Sequence, residues 1–342
     1  MPVTIDRPAL SSHPRISDIR ERRKRRGTIR DRGRRITIGL VNNMPDAALV
    51  STERQFGQLI EATSGDADIR LRFYSLAQIP RSREALEHLG QLYADAAGLN
   101  GQKLDAMIVT GAQPIAPDLE AEPYWDALTN VIDWAEANTI STILSCLAAH
   151  AGVLHLDGLA RRPLETKCSG VYAFDVVGDD RLTEGANGNW LTPHSRYNGL
   201  DEKELTGSDY KVLTRSPHVG VDMFTKQLRS LLVFLQGHPE YENETLAREY
   251  RRDLSRYLKG DLLQTPRLPD GYFSVDAARA WLNVQAQAQR GESIESFPEI
   301  QAGDAPWRPF ADLLYRNWLT LVTERKARAS QDSSSLVSRW GG

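Results

Sequence analysis

Four short apolar runs rich in β-branched residues alternate with amphipathic stretches along the first part of the chain. They are Arg35–Asn42, Ile69–Tyr74, Leu104–Thr110 and Thr139–Ser145. Between them lie segments of helical periodicity: one with Leu49, Phe56, Leu59 and Ile60, one from Glu84 to Ala97, and one from Tyr124 to Asn138. Strands that alternate with helices predict an α/β fold, with a doubly wound, mostly parallel sheet covered on both faces. In such sheets ligands bind beyond the carboxyl ends of the strands. Met44-Pro45, Thr110-Gly111 and Cys146 all follow strands of this kind. So does His238, which comes just after the apolar run Leu231–Leu235.

The residue that gives this edge chemistry is Cys146. An apolar strand ends at Ser145, and small helix-favouring residues begin at once after the cysteine. A thiol on a strand-to-helix turn sits where exposed amides and the helix dipole favour thiolate over thiol. Gly237-His-Pro-Glu240 supplies a histidine and a carboxylate two residues apart, which an extended segment places on one face. A lone cysteine is more often a small buried hydrophobe, and a lone His-Pro-Glu is more often a turn. Together, at strand ends, they read as a Cys146-His238-Glu240 triad.

Composition narrows the rest. A chain of 342 residues with 41% hydrophobic content is long enough for a large core. The net charge of −3 does not point to nucleic acid as an obligate partner. The two cysteines, Cys146 and Cys168, imply no disulfide framework and fit a reducing cytoplasm. No apolar run approaches the roughly 20 residues that span a bilayer, and the N-terminus lacks the apolar stretch of a secretory signal. His150 and His155 are five apart, and no Cys, His and Asp cluster has ligand spacing, so no metal site is expected. His155 reads as a helix-end or core histidine, and Cys168 as a packed small residue.

Residues 1–34, with Arg20–Arg26 at their centre, read as a basic, disordered or weakly helical arm. A catalytic domain is expected over 35–258. Residues 160–235 are rich in strands and turns, including Tyr210–Thr214 and Gly220–Phe224. A helical extension covers 259–328, with helices at Val275–Gln289 and Trp307–Arg328, and the serine-rich 329–342 reads as a disordered tail.

Several motifs, in order, resemble those of the homoserine O-acyltransferases known as homoserine transsuccinylases, within the class I glutamine amidotransferase-like superfamily. They are Asn42-Asn-Met-Pro45, Val109-Thr-Gly-Ala112 followed by Tyr124-Trp125, Lys167-Cys-Ser-Gly-Val171, Pro193-His-Ser-Arg196, Gly237-His-Pro-Glu-Tyr241 and Glu249-Tyr-Arg-Arg-Asp253. The resemblance runs from about residue 36 to 258. It implies that Cys146 takes an acyl group from acyl-CoA as a thioester, that His238 is the base, and that Glu240 orients it. It also implies that Lys167, Ser195 and Arg252 surround the amino-acid substrate. A carboxylate independently calls for arginine, whose planar fork offers two parallel donors. The backbone amides of Leu147 and of Gly111 are the expected oxyanion donors. Acyl-CoA is then a co-substrate, succinyl or acetyl, with no permanently bound cofactor, and a homodimer is a family expectation.

The chain departs from the resemblance at three places, the first being Asp46-Ala-Ala-Leu49, which follows Met44-Pro45 where the family carries a lysine-containing stretch. Cys146-Leu-Ala-Ala149 stands where the family reads Cys-Trp-Gly-Ala. The position that is commonly Gly for succinyl and Glu for acetyl is, by ungapped counting, Ile115. Serine is the alternative acceptor, and a glutamine amidotransferase-like hydrolase is the alternative enzyme. The missing glycines beside Cys146 speak against the latter.

Overall fold

The computed structural model describes residues 3–6, 35–188, 190–300 and 304–339, the last seven by backbone alone. The chain forms two compact units. The first comprises residues 1–144, 227–232 and 315–342; the second comprises 145–226 and 233–314.

In the first unit the expected alternation is present. Strands β1 (Thr4–Ile5), β2 (Arg35–Val41), β3 (Asp68–Ser75), β4 (Tyr93–Asp95), β5 (Ala106–Val109) and β6 (Ser141–Ser145) are interleaved with helices α1 (Asp46–Thr63), α2 (Arg83–Leu92) and α3 (Trp125–Asn138). The strand order is β1-β3-β2-β5-β6, with β4 also on β3. Every pair in this set is parallel. The registers run Arg35↔Asp68 to Val41↔Tyr74, Ile38↔Ala106 to Val41↔Val109, and Ala106↔Ser141 to Val109↔Leu144. Ile38, Leu40, Ala106, Met107, Ile108, Val109, Ile143 and Leu144 are wholly buried. Near-continuous apolar strands of this kind fit a parallel sheet covered on both faces.

The helix expected over Glu84–Ala97 stops at Leu92. Tyr93–Asp95 instead pairs with Phe73–Ser75. The Tyr93 hydroxyl donates to Glu53 (2.6 Å) and accepts from the Asn42 amide (2.9 Å). Tertiary pairing outweighs the local helical preference of the segment. Of the expected N-terminal arm, residues 4–5 form the edge strand β1, and Asp6 pairs with Arg70 and Arg72. The arginine run at 20–26 lies outside the described residues.

The second unit begins with helix α4 (Leu147–Asp157) and continues with β7 (Arg162–Val176), β8 (Trp190–Gly199), α5 (Glu202–Gly207), β9 (Lys211–Val212), β10 (Thr214–Ser216), β11 (Gly220–Val221) and β12 (Met223–Gln227). Strand β13 (Leu231–Leu235) starts in the first unit and ends in the second. Here the pairings are antiparallel: β7 with β8, β10 with β7, β11 with β10, and β12 with β9. The runs Tyr210–Thr214 and Gly220–Phe224, each expected as one strand, both divide. β9 and β12 belong to one sheet, whereas β10 and β11 belong to another. The break in the second run falls at Asp222, whose buried carboxylate is engaged elsewhere in the unit.

Helices α6 (Thr245–Leu258) and α7 (Val275–Gln289) pack through Tyr250, Leu254, Trp281, Val284 and Ala288. The link between them crosses β7 at Gly170, where Val171 N donates to Asp270 O (2.8 Å) and Asp270 N to Ser169 O (2.9 Å). A Cβ at Gly170 would lie 2.3 Å from the Asp270 carbonyl oxygen, so only glycine permits this crossing.

Helix α8 (Arg308–Arg339) extends through most of the segment expected as a tail. From Tyr315 on it belongs to the first unit. There Trp318, fully buried, donates from Nε1 to the Ser141 hydroxyl (2.9 Å). Lys326 Nζ reaches both Asp105 Oδ2 and Arg35 O at 2.7 Å. Arg35, Asp105 and Ser141 mark the starts of β2, β5 and β6, so α8 braces the edge of the sheet opposite the carboxyl ends. Trp318→Ala is expected to lower the unfolding free energy by about 3–5 kcal/mol, measured by urea denaturation. Trp318→Phe, which loses the hydrogen bond but keeps a ring, is expected to cost less.

Candidate active site in the second unit

Cys146 connects β6 to α4 with φ 54° and ψ −114°. Positive φ in a non-glycine residue is strained. Two sets of backbone bonds hold it. Cys146 N donates to Leu235 O (2.7 Å), and Cys146 O accepts from Ala149 N (3.0 Å) and His150 N (3.3 Å). Its side chain is partly exposed on the sharp turn. Leu147 is the first residue of α4 and is buried. An N–H at that helix position has no acceptor within its own helix, so it is free to serve an anion at the turn.

His238 lies three residues beyond Leu235. Its backbone N–H donates to Pro193 O (2.8 Å), and its Nδ1 meets Glu240 Oε1 at 2.8 Å. With Nδ1 on Glu240, Nε2 is the ring nitrogen left for the neighbouring Cys146 side chain. The ring stacks on Tyr241, with centroids 4.3 Å apart and planes 14° from parallel. Both His238 and Glu240 are buried. Burial pushes the His238 pKa down, but the charges and hydrogen bonds of Cys146 and Glu240 overcome it and hold the imidazolium well above the ordinary histidine value. The second carboxylate oxygen of Glu240 has no hydrogen-bond partner. A buried carboxylate in that position needs a cation beside it, and the His238 ring is that cation.

Gly237 is forced by crowding. A Cβ there would lie 2.5 Å from Thr192 Cγ2, 2.8 Å from His194 Nε2 and 2.9 Å from Asp222 Oδ1. Asp222 accepts from Gly237 N and from Thr192 Oγ1, both at 2.9 Å, and lies 3.4 Å from His194 Nε2. Arg196 Nε donates to His194 Nδ1 (3.1 Å). Because arginine only donates, that bond places the proton of neutral His194 on Nε2, facing Asp222. Burial keeps His194 on its neutral side. The Pro193–Arg196 motif thus supports the His238 turn from behind.

His150 supports it from the other side. Its Nε2 meets Gln236 Oε1 at 2.9 Å, and Gln236 Nε2 donates to Val221 O (2.6 Å). Complete burial lowers the His150 pKa to about 4.

Lys167 and Arg252 come together on Asp253. Lys167 Nζ lies 2.8 Å from Asp253 Oδ2, and Arg252 Nε lies 3.0 Å from Asp253 Oδ1. Burial raises the Asp253 pKa, but the two cations outweigh it and keep the carboxyl ionised. Tyr241 links this cluster to His238: its hydroxyl donates to Glu249 Oε1 (2.9 Å), one helical turn before Arg252. Ser195 sits on β8 opposite Ser169 of β7, half-buried, and alternates with the buried His194 and Arg196. Gly111 and Ile115 lie in the first unit. There Thr110 Oγ1 donates to Gly111 O (3.1 Å), and Ile115 is 66% exposed, with its N–H on Glu122 Oε1.

A model of the homoserine O-succinyltransferase family matches residues 11–328. The chain belongs to the homoserine O-succinyltransferase family. This bears out the expected acyltransferase, and the family carries the succinyl name of the two donors left open. The chain is 47% identical over 304 residues to a homoserine O-succinyltransferase of Methylorubrum extorquens, covering 87% of this chain and 90% of that protein. It is 47% identical to that of Rhodopseudomonas palustris (83% and 87% covered) and 45% to that of Bradyrhizobium japonicum (84% and 90% covered). Among solved structures it is similar to a glutamine amidotransferase from Methylobacillus flagellatus, with 14% identity, a TM-score of 0.47, and 84% of this chain and 95% of that one covered.

Sequence reasoning missed Asp222, Asp253 and Tyr241 as members of this region. Asp253 and Tyr241 close motifs that were recognised without a role for either. Asp222 had a fainter signal, a lone carboxylate inside the apolar run Gly220–Phe224.

The geometry carries two expectations. His150 holds fewer protons folded than unfolded between its ordinary pKa near 6.5 and its folded value of about 4. Stability therefore falls as pH drops through that window. His150→Gln is expected to flatten the fall, read as urea midpoints from pH 7 to 4. Cys146→Ala removes an acidic neighbour, so the His238 pKa is expected to drop. Imidazole NMR titration checks it; an unchanged value would show that Glu240 alone sets the charge.

Proposed function

We propose that the chain transfers the succinyl group of succinyl-CoA to the hydroxyl of homoserine through a thioester on Cys146, a step of methionine biosynthesis. The observation that carries this reading is the Cys146-His238-Glu240 line, with a partly exposed thiol on a strained strand-to-helix turn beside a buried His238-Glu240 pair, in a chain of this family.

The reaction starts from the Cys146 thiolate and His238 imidazolium. The thiolate attacks the thioester carbonyl, and the developing oxyanion is met by the Leu147 N–H. The carbon–sulfur bond to CoA breaks, and His238 Nε2 gives its proton to the departing thiolate. CoA leaves as a thiol, and His238 is neutral. The homoserine hydroxyl then attacks the succinyl-Cys146 carbonyl while His238 Nε2 takes its proton. Collapse releases O-succinylhomoserine and restores the starting ion pair. Glu240 keeps Nδ1 protonated throughout and stabilises each imidazolium.

Acylation itself readies the base. While Cys146 is a thiolate it holds the His238 proton in place. Once sulfur is acylated that charge is gone, and His238 returns toward the range in which it accepts a proton.

We assign Lys167, Arg252 and Ser195 to the amino acid. Lys167 and Arg252 share one carboxylate, Asp253, which holds the two donors side by side for a substrate carboxylate. Ile115 is assigned to the acyl-chain pocket on the family position alone. Two free thiols fit a cytoplasmic enzyme.

Incubation with succinyl-CoA is expected to add one succinyl group to the intact mass, and Cys146→Ala to abolish it. No adduct would sink the thioester. Glu240→Gln is expected to lower kcat by about 10²-fold or more, with little change in the homoserine KM. Serine in place of homoserine, with free CoA as the readout, tests the acceptor.

A further inference from the structure

Helix α6 carries more positive charge than the amino-acid substrate requires. Arg248, Arg251, Arg252, Arg256 and Lys259 recur at intervals that place them on one face of the helix. The opposite face holds the buried Leu246, Tyr250 and Leu254. The five cations line a groove of about 470 Å³ with Ile300 at its apolar edge.

Solvent-facing helical surfaces are usually charged, but they are usually mixed in sign, and this stripe is not. Arg248 is paired with Glu244, and Arg252 with Asp253. Arg251 lies over the Phe297 ring, 5.0 Å from its centroid. Among the described residues, no carboxylate pairs with Arg251, Arg256 or Lys259. Three uncompensated cations in one groove repel one another and favour a polyanion. Arginine forks are suited to phosphate oxygens.

The groove also passes the candidate site. Arg252, at its middle, shares Asp253 with Lys167. At the helical rise, Lys259 lies roughly 10 Å further along α6. A ligand held there reaches the amino-acid cluster only through an extended arm. Acyl-CoA has that shape: a thioester at one end, a flexible pantetheine arm, and a nucleotide carrying a 3′-phosphate and a diphosphate at the other.

We propose that the α6 groove binds the phosphates of the acyl-CoA donor, with Arg256 and Lys259 as phosphate ligands and Arg251 beside them. This rests on the acyltransferase reading above. The site recognises the donor's nucleotide end and takes no part in the chemistry at Cys146.

The test uses the full chain and the variant Arg256→Gln/Lys259→Gln. CoA and 3′-dephospho-CoA binding are measured by calorimetry. Labelling of Cys146 is followed by intact mass against the concentration of succinyl-CoA, and of succinyl-pantetheine, which lacks the nucleotide. The variant is expected to bind CoA about tenfold more weakly or worse, the loss of one or two charge-assisted hydrogen bonds. Its half-saturating succinyl-CoA concentration should rise in step, and its labelling by succinyl-pantetheine should match the unaltered chain. That match also shows that the variant is folded. Unchanged CoA binding and unchanged half-saturation would overturn the groove assignment while leaving the thioester intact. Equal losses with both donors would overturn it too, because the effect would not depend on phosphate. Failure of the unaltered chain to be labelled by either donor would remove the acyltransferase reading itself.

Discussion

Everything in the candidate site hangs on a hydrogen bond from the backbone of Cys146 to the carbonyl of Leu235, 2.7 Å long. The bond fixes a residue whose φ of 54° costs of the order of 1–3 kcal/mol. It also sets the distance to His238, because Leu235 is only three residues before it. One turn into α4 a second tie repeats the first: His150 reaches Gln236, the next residue after Leu235. The turn and helix that follow Cys146 and the segment that bears His238 are therefore stitched at two successive positions. The strain at Cys146 is retained because a buried helix, Leu147 to Val153, and the end of β13 leave the turn no room to relax.

The three buried histidines of this unit show that burial alone does not decide protonation. All three are pushed toward the neutral form by desolvation. His150 faces an amide oxygen, which adds too little to oppose it. His194 accepts a hydrogen bond from an arginine, which reinforces it. Only His238 stands between two acidic groups, and only there is the proton held. Burial sets the neutral form in His150 and His194, and only acidic neighbours on two sides overturn it in His238. His238 is thus the one whose charge depends on a thiol beside it.

Much of this was legible in the sequence. The strand and helix alternation gave the parallel registers of β2, β3, β5 and β6, because apolar periodicity is local and strong there. The meeting of Cys146, His238 and Glu240 was legible for a similar reason: strand ends are marked by the chain itself, and all three follow one. What escaped was set by tertiary pairing. Tyr93–Asp95 has helical composition but became a strand because Tyr93 closes a buried network with Asn42 and Glu53. Tyr210–Thr214 and Gly220–Phe224 each look like one strand, yet each divides between two sheets. Asp222 bends the second toward Gly237. Helix α8 read as a peripheral extension, since nothing local says that Trp318 reaches Ser141 or that Lys326 reaches Asp105.

The pairing of Lys167 with Arg252 shows a limit of motif reading of another kind. Each residue alone suggests a carboxylate ligand, and together they suggest a charge of two. Asp253 reduces that to one and holds both side chains in a fixed relation, with Lys167 on β7 and Arg252 on α6. Each cation separately favours the ionised form of this buried carboxylate. In the proposed role, loss of either cation leaves the survivor paired with a full negative charge, so that little of it remains for an anionic substrate. The two cations act as one unit, and their effects on acceptor binding are not additive.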